Sequence, residues 1–529
     1  MITRSHYSKP DDELLLCKVS VGQYVGGEDN KEGIWMNCNN KHKIEKQVQR
    51  LGVVLIAMAL LCAACGSQAG VIEEGVTPTA ATRGTPTPTS PAPFKVVPGD
   101  WSTYLSDNGR SGYNKDETTI TATTAAELKP HWMYHAKNYI STQPMEAFGM
   151  IYWGSWDGLE HATDLNGHEV WATSLGRTHR CGSIIGVAGT GTAAVVSIGG
   201  KKTPVIFVGG GNAHFYALNA ASGAIIWNTP LGTPPDHFIW SSPIVYKGSV
   251  YVGMASFGDC PTIQGQLFQM SMVTGAIKHT FDVVPKGCQG GAVWGSPTID
   301  DSTGELYIAT GNADPCATTE IYTSAVVELH TSDLKVVGLW RVPPSEWVID
   351  PDFGSTPTLF KAKIGGVSRA MVGVAHKNGI YYAFLRGDLS RGPLWTAEIA
   401  KGGSCPNCGA GSISPSAWDG TQLYVAGGYT TVQGANCRSG LRALNPATGA
   451  FIWERCLSDG PILAAVTVVP GVVAVTGGSA LLLVNATSGE TLFIFHDTTR
   501  GSVFYGAASI SHGMLYAANF DGRLYAFGL

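Results

Sequence analysis

From about residue 128 onward the chain alternates short apolar runs with glycine-rich turns. Val205–Trp227 shows the pattern: VIFVG, a turn, HFYALN, a second turn closing on Gly223, then AIIW. Such runs, apolar throughout or alternating apolar and polar, predict short strands buried on one or both faces. The Asn-x-x-x-Gly spacing at Asn219–Gly223 predicts the turn ahead of the closing strand. The same order returns along the chain, with closing strands that end at Trp171, Trp227, Phe281, Trp340, Trp395, Trp453 and Phe495. An eighth unit opens at LYAANFDGRLYAF, Leu515–Phe527, and lacks its last strand. Leu128–His135, LKPHWMYH, is a spare strand upstream that can complete it. No long amphipathic helical pattern interrupts the series. A repeat of about 40–60 residues built only of strands predicts an all-β, eight-bladed β-propeller over residues 99–529. Pairing of Leu128–His135 with the last unit would close the ring and leave no free sheet edge. The aromatic residues that end the units are expected to pack between blades.

Composition agrees with one large folded array. Hydrophobic residues make up 44% and charged residues 14%, which provides for a large core. The 67 glycines suit many tight turns. The net charge of −5, with no basic run beyond the N-terminal region, leaves no footprint for nucleic acid. That region reads differently. Lys41, Lys43, Lys46 and Arg50 precede the apolar run Leu51–Ala64 and then Cys65. A basic segment, a short apolar segment and small residues at a cleavage point predict an export signal over residues 1–65, and Met36 is the expected true start. Leu61-Cys62-Ala63-Ala64-Cys65 resembles a bacterial lipobox with Cys65 as the lipidated residue, although Cys62 stands where leucine is usual. Residues 66–98, rich in Thr, Pro, Ala and Ser, predict a disordered tether with an average reach of about 30 Å. The expected location is therefore outside the cytoplasm, on a membrane-anchored lipoprotein facing outward from the cytoplasmic membrane or lying in the periplasm.

Eight cysteines follow the signal region: Cys181, Cys260, Cys288, Cys316, Cys405, Cys408, Cys437 and Cys456. An even number in an exported domain favours disulfides, of unspecified pairing. Cys405-Pro-Asn-Cys408 is alternatively half of a zinc site, but no second C-x-x-C accompanies it. No C-x-x-C-H sequence is present to attach a c-type haem.

The densest candidate chemistry lies between Ala292 and Gly379. AVWGSPTIDDSTGELYIATGNAD, Ala292–Asp314, predicts a strand headed by Trp294, a turn at Asp300–Gly304, and a strand over Glu305–Thr310 leading to Asn312. Trp294 and Asn312 should therefore lie at the same end of neighbouring strands. VIDPDFGSTP, Val348–Pro357, adds Asp350 and Asp352, and His376-Lys377-Asn378-Gly379 adds a turn lysine. A flat aromatic, an amide oxygen and carboxylates suit a planar cofactor together with a hard cation.

The series WG…YIATGN…DFGSTP resembles the pyrroloquinoline quinone (PQQ)-dependent dehydrogenases, and DFGSTP most resembles their polyvinyl-alcohol dehydrogenase branch. The resemblance in the repeats covers about residues 100–529. It implies Trp294, Lys377 and Asn312 as cofactor-binding residues, and Asp259, Asn312 and Asp352 as ligands of a calcium ion. Asp352, with Asp350 second, would be the catalytic carboxylate. It implies oxidation of an alcohol or sugar hydroxyl by hydride transfer to the quinone. Electrons would then pass to an external acceptor such as a cytochrome. The chain departs from that pattern in two places. Trp347 is followed by Val348 where many relatives carry Asp, and no two cysteines are adjacent although many relatives have such a pair over the cofactor. The same repeat also resembles non-enzymatic propeller lipoproteins, which implies the alternative of a scaffold or binding module in the cell envelope.

Overall fold

The computed structural model describes residues 18–20, 35–37, 95–314 and 320–529. Apart from residues 18–20 and 35–37, the expected signal region with Cys65 lies outside the described residues, as does nearly all of the tether. Residues 18–20 and 35–37 form a small antiparallel pair. No described helix is long and apolar enough to cross a membrane.

Within residues 129–528 eight antiparallel sheets are arranged as an eight-bladed propeller, and two small two-stranded ribbons, Thr178–Arg180 with Ser183–Ile185 and Thr430–Val432 with Ala435–Cys437, accompany them. Blades 1 to 7 span 145–174, 192–230, 237–282, 298–341, 358–398, 417–457 and 467–496. Each holds four strands in chain order, and blade 3 carries one additional short strand, His237–Phe238. Blade 8 takes three strands from residues 509–528 and its outermost strand, Lys129–His135, from the start of the ring. Trp132 pairs with Ala526 and His135 with Arg523, so the expected closure is present. First strands of neighbouring blades touch one another and surround the central channel. The apolar faces of adjacent blades make the core: Tyr152, Trp171 and Val187 of the first blade and its exit loop pack on Ile206, Val208 and Leu218 of the second.

The recurrence of Trp at the unit ends has a specific cause. The indole N–H of Trp171 donates to the Ala220 carbonyl of the next blade at 2.9 Å, and Trp227 does the same to Met272 at 3.2 Å. Trp395 donates to Pro446 and Trp453 to Ala486, each at 2.9 Å. Trp132 makes the equivalent bond to Leu165 across the closure. The ring lies on the glycine that ends the neighbour's Asn-x-x-x-Gly turn. A Cβ on Gly223 (φ +69°) would meet Trp171 at 2.6 Å, and one on Gly167 (φ +83°) would meet Trp132 at 2.6 Å. The repeat thus encodes a turn glycine with a positive φ, a flat ring stacked on it, and one hydrogen bond holding blade to blade.

The segment preceding the ring has a role that its irregular sequence conceals. Residues 101–114 visit all eight blades in order. Trp101 bridges to Glu146 and Thr103 to Thr192. Asn108 donates to the Val245 carbonyl and accepts from Ile299 N–H. Leu359 N–H donates to Gly109, Trp418 N–H to Ser111 and Val468 N–H to Gly112. Asn114 donates to Ile510. Arg110, fully buried, donates to Pro297 and Pro243 carbonyls at 3.0 and 2.9 Å. Most of these contacts fall on the inner strands, and Arg110 reaches the carbonyls just ahead of two of them. The segment therefore crosses the channel along the inner strands, with Tyr104 facing the mouth at the end where the connections enter.

Candidate functional site

At the mouth lie the connections entering the inner strands and the turns between second and third strands. Trp294 lies in the connection to blade 4, four residues ahead of the strand Thr298–Ile299 rather than at its head. Pro297 has no N–H for the ladder, so pairing starts late. Its indole faces the channel and, with Tyr104, Trp240, Thr356 and Tyr505, lines a cavity there. Asn312 follows the second strand of the same blade, at the same end as expected: Gly291 N–H donates to Asn312 O at 2.7 Å and Gly311 N–H to Ala292 O at 2.9 Å.

Asp-Phe-Gly at 352–354 is fixed by its middle residue. Phe353 is fully buried between blades 4 and 5 and meets His376 edge-on at 4.6 Å. Its N–H donates to Thr310 O at 3.2 Å. Gly354 lies against Trp294, whose ring would stand 2.2 Å from any Cβ there, so glycine lets the indole lie flat on the backbone. The buried hydroxyls continue the support: Ser296 N–H donates to Thr356 Oγ1 at 3.0 Å and Ser355 Oγ donates to Ser414 O at 3.2 Å.

Lys377 sits in the tight turn of blade 5, where Gly379 N–H donates to His376 O. Its ammonium donates to Asp350 Oδ2 at 2.6 Å and to Asp352 Oδ2 at 2.7 Å, and stands 5.3 Å from the centre of the Trp294 ring. The lysine is 6% exposed. Burial alone would depress its pKa, but the carboxylates of Asp352 and Asp350 outweigh burial and hold it above the ordinary lysine value. Asp352 Oδ1 accepts the Asn312 backbone N–H at 2.6 Å, so both oxygens of Asp352 are engaged. Asp350, at a positive φ of 62°, keeps Oδ1 buried with no hydrogen-bond partner. Burial, then the charge of Asp352, pushes its pKa up to about 6 against the pull of Lys377.

Five of the six expected residues, Trp294, Asn312, Asp350, Asp352 and Lys377, therefore converge. Asp259 stands on the exposed rim and is tied to the others by no hydrogen bond or ion pair. It acts through its field: partial desolvation raises its pKa, then the charge of Asp350, with Lys377 opposing. Asn312 touches Asp352 through its backbone, a contact that side-chain reasoning does not anticipate. Among the described residues no cluster of three or more His, Cys, Asp or Glu forms a metal-binding group. The donor set nonetheless suits a planar anion with a cation. Trp294 provides a flat face, Lys377 a cation beside it, and the Asp350 Oδ1 lone pairs await a partner. The parts played by Gly354 and by the Tyr505 wall do not emerge from sequence. Gly354 belongs to the DFGSTP motif, but its steric reason requires the fold.

The cysteines form disulfides. Cys181 pairs with Cys260 beside Asp259, Cys405 with Cys408, and Cys437 with Cys456. Cys288 is disulfide-bonded as well, and Cys316 lies outside the described residues. The zinc alternative for Cys405 and Cys408 does not hold.

Fold and site together define a PQQ-repeat β-propeller, of the kind built by quinoprotein dehydrogenases. The chain belongs to the family whose model is described as outer membrane protein assembly factor BamB, matched over residues 157–338 and 379–529. It is 24% identical over 370 residues to a polyvinylalcohol dehydrogenase of Pseudomonas sp, covering 58% of this chain and 56% of that one. It is 25% identical over 331 residues to the quinohemoprotein alcohol dehydrogenase of Comamonas testosteroni, covering 54% and 45%. The chain thus spans about half the length of these curated relatives. The crystal structure of the latter enzyme superposes with a TM-score of 0.64 at 17% identity, over 81% of this chain and 80% of that one, a likeness of fold.

Proposed function

We propose that this propeller is an exported quinoprotein oxidoreductase that oxidises alcohol or sugar hydroxyls. The observation that carries the reading is the convergence of Trp294, Lys377, Asp352 and the unpartnered Asp350 oxygen at the mouth. Bound there, PQQ would supply a two-electron acceptor and calcium a Lewis acid. Trp294 offers the stacking face, Lys377 a donor toward quinone oxygens, and Asp352 and the Asn312 amide oxygens for a cation. The proton acceptor is better assigned to Asp350 than to Asp352. Both oxygens of Asp352 are committed, whereas Asp350 has one free and, with a pKa of about 6, is ionised at neutral pH. Electrons leave to an external acceptor such as a cytochrome.

The relatives named as alcohol and polyvinylalcohol dehydrogenases support this reading. The disulfides support an oxidising compartment outside the cytoplasm. We further propose residues 1–65 as signal and lipobox, 66–98 as tether and 99–529 as the propeller, with Cys65 as the lipid anchor. Cys65→Ser should release the protein from membranes or leave an uncleaved precursor. The test of function is to reconstitute purified protein with PQQ and Ca²⁺, follow the quinone absorption, and assay dye reduction with alcohols. Asp350→Asn should remove most of the activity, because it removes the proposed proton acceptor. A protein that binds no quinone would overturn the reading in favour of the second one, a non-enzymatic envelope scaffold. That second reading draws on the family description and on the exposed position of Asp259.

A further inference from the structure

The loop 400–411 carries a feature that neither the fold nor the proposed reaction uses. Its Cys405–Cys408 disulfide spans three positions, whereas Cys437–Cys456 spans 19 and Cys181–Cys260 spans 79. A cross-link that closes so short a loop restrains the unfolded chain least, so stability does not explain it. Opening it would also disturb no sheet, because the loop lies between the outer strand of blade 5 and the inner strand of blade 6. Cys408 is exposed and Cys405 partly buried, so one sulfur is open to an incoming thiolate and the other is placed to leave.

The loop is fastened to the site lysine. Gly403 N–H donates to the Lys377 carbonyl at 3.0 Å, and a Cβ on Gly411 would stand 2.3 Å from that same oxygen. Gly402 lies equally close to Asn378, with 2.5 Å from its would-be Cβ to the Asn378 carbonyl. Inside the loop the Cys405–Cys408 bond is accompanied by backbone bonds: Ala410 N–H donates to Cys405 O at 3.0 Å and Gly411 N–H to Lys401 O at 2.6 Å. On its outer side Tyr429 N–H donates to Gly409 O at 2.6 Å. The backbone of Lys377 is therefore clamped between Asp352 O, which accepts its N–H at 3.1 Å, and the disulfide loop.

We infer that Cys405–Cys408 is an exchangeable disulfide, open to a dithiol reductant, and that its state sets the position of Lys377. A thiolate of the reductant attacks Cys408 Sγ, the Cys405–Cys408 bond breaks, and Cys405 leaves as a thiolate that takes a proton from solvent. The reductant's second thiol then displaces Cys408. Two electrons pass to the pair, which becomes a dithiol, and the reductant becomes a disulfide. With the cross-link gone, the loop releases Lys377 O while the blades remain joined. The inference is independent of any reaction at the mouth.

The test uses the purified full chain and dithiothreitol. Graded reduction, alkylation and peptide mass analysis should label Cys405 and Cys408 about tenfold faster or more than Cys437 and Cys456. Hydrogen–deuterium exchange should rise over residues 376–379 and 401–411, with the other blades unchanged. The variant C405S/C408S should show the same exchange pattern without reductant. Labelling of Cys405 and Cys408 together with or after the other pairs would overturn exchangeability. Unaltered exchange at 376–379 after reduction would overturn the coupling to Lys377, and because that measurement uses the wild-type chain it stands even if the variant does not fold.

Discussion

Replacing Lys377 with methionine tests the electrostatics of the site without any cofactor. The side chain keeps its approximate length and loses its charge. In the native protein one ammonium serves two carboxylates, at 2.6 and 2.7 Å, with side-chain exposures of 8% for the lysine, 21% for Asp350 and 11% for Asp352. Removing one partner from a buried ion pair costs about 3–5 kcal/mol because the remaining charge is left uncompensated. Here two like charges remain, one of them already hard to ionise. The protein has an escape: Asp350, whose pKa stands at about 6 with the lysine present, will be pushed higher without it. A raised carboxyl pKa means that the folded state binds the proton more tightly than the unfolded chain. Stability is then greatest at low pH and is lost as pH rises through the folded value. The K377M penalty should therefore be near the full range, about 3–5 kcal/mol, at pH 8 and clearly smaller at pH 5. Guanidinium unfolding of wild type and variant at the two pH values measures it. The double variant K377M/D350N should recover much of the loss at pH 8. A K377M penalty that is the same at both pH values, or no recovery in the double variant, would refute the reasoning.

Three further outcomes concern the blade ties. Gly223→Ala places a Cβ 2.6 Å from Trp171 at a φ of +69°, and should cost clearly more in a urea midpoint than Gly149→Ala, which has φ +74° but nothing within 4 Å; the difference, about 1–3 kcal/mol, isolates the clash from the backbone strain the two share. Trp132→Phe keeps a ring across the closure but loses the bond to Leu165 and part of the packing on Gly167 and Tyr516, for about 1–3 kcal/mol. Trp132→Ala should open the seam and expose Lys129–His135 to limited proteolysis.

The fold was legible because its repeat is written in side chains. A turn glycine and a closing Trp recur since each blade needs both to hold the next, and the count of eight follows from seven whole units, one short one and the spare LKPHWMYH. The track of residues 101–114 was not legible for the opposite reason. Its hydrogen bonds to blades 5 to 7 join backbone N–H and C=O groups, which any sequence supplies, so WSTYLSDNGRSGYN carries no period. The cross-blade disulfide Cys181–Cys260 was likewise beyond reach, because spacing along the chain says nothing of distance across a ring.

The site divides along the same line. Trp294, Asp352 and Lys377 could be found because each sits beside a residue that the fold itself requires. Gly354 lies beneath the indole, Phe353 fills the core and Gly379 makes the turn. Those neighbours fix the backbone, and the backbone carries the functional group to the mouth. Asp259 lacks such a neighbour. It follows Ser256-Phe257-Gly258 in a loop whose fixed points are Phe257, buried among Phe238 and Ile185, and the disulfide at Cys260, while the aspartate itself stays exposed. The difference between Asp350 and Asp352 was also out of reach, since it depends on which oxygen has a partner. Asp352 meets the Asn312 N–H only because blade 4's second strand ends where the blade 4–5 connection passes. That backbone contact occupies one carboxylate and leaves its neighbour two residues away with an unpartnered oxygen.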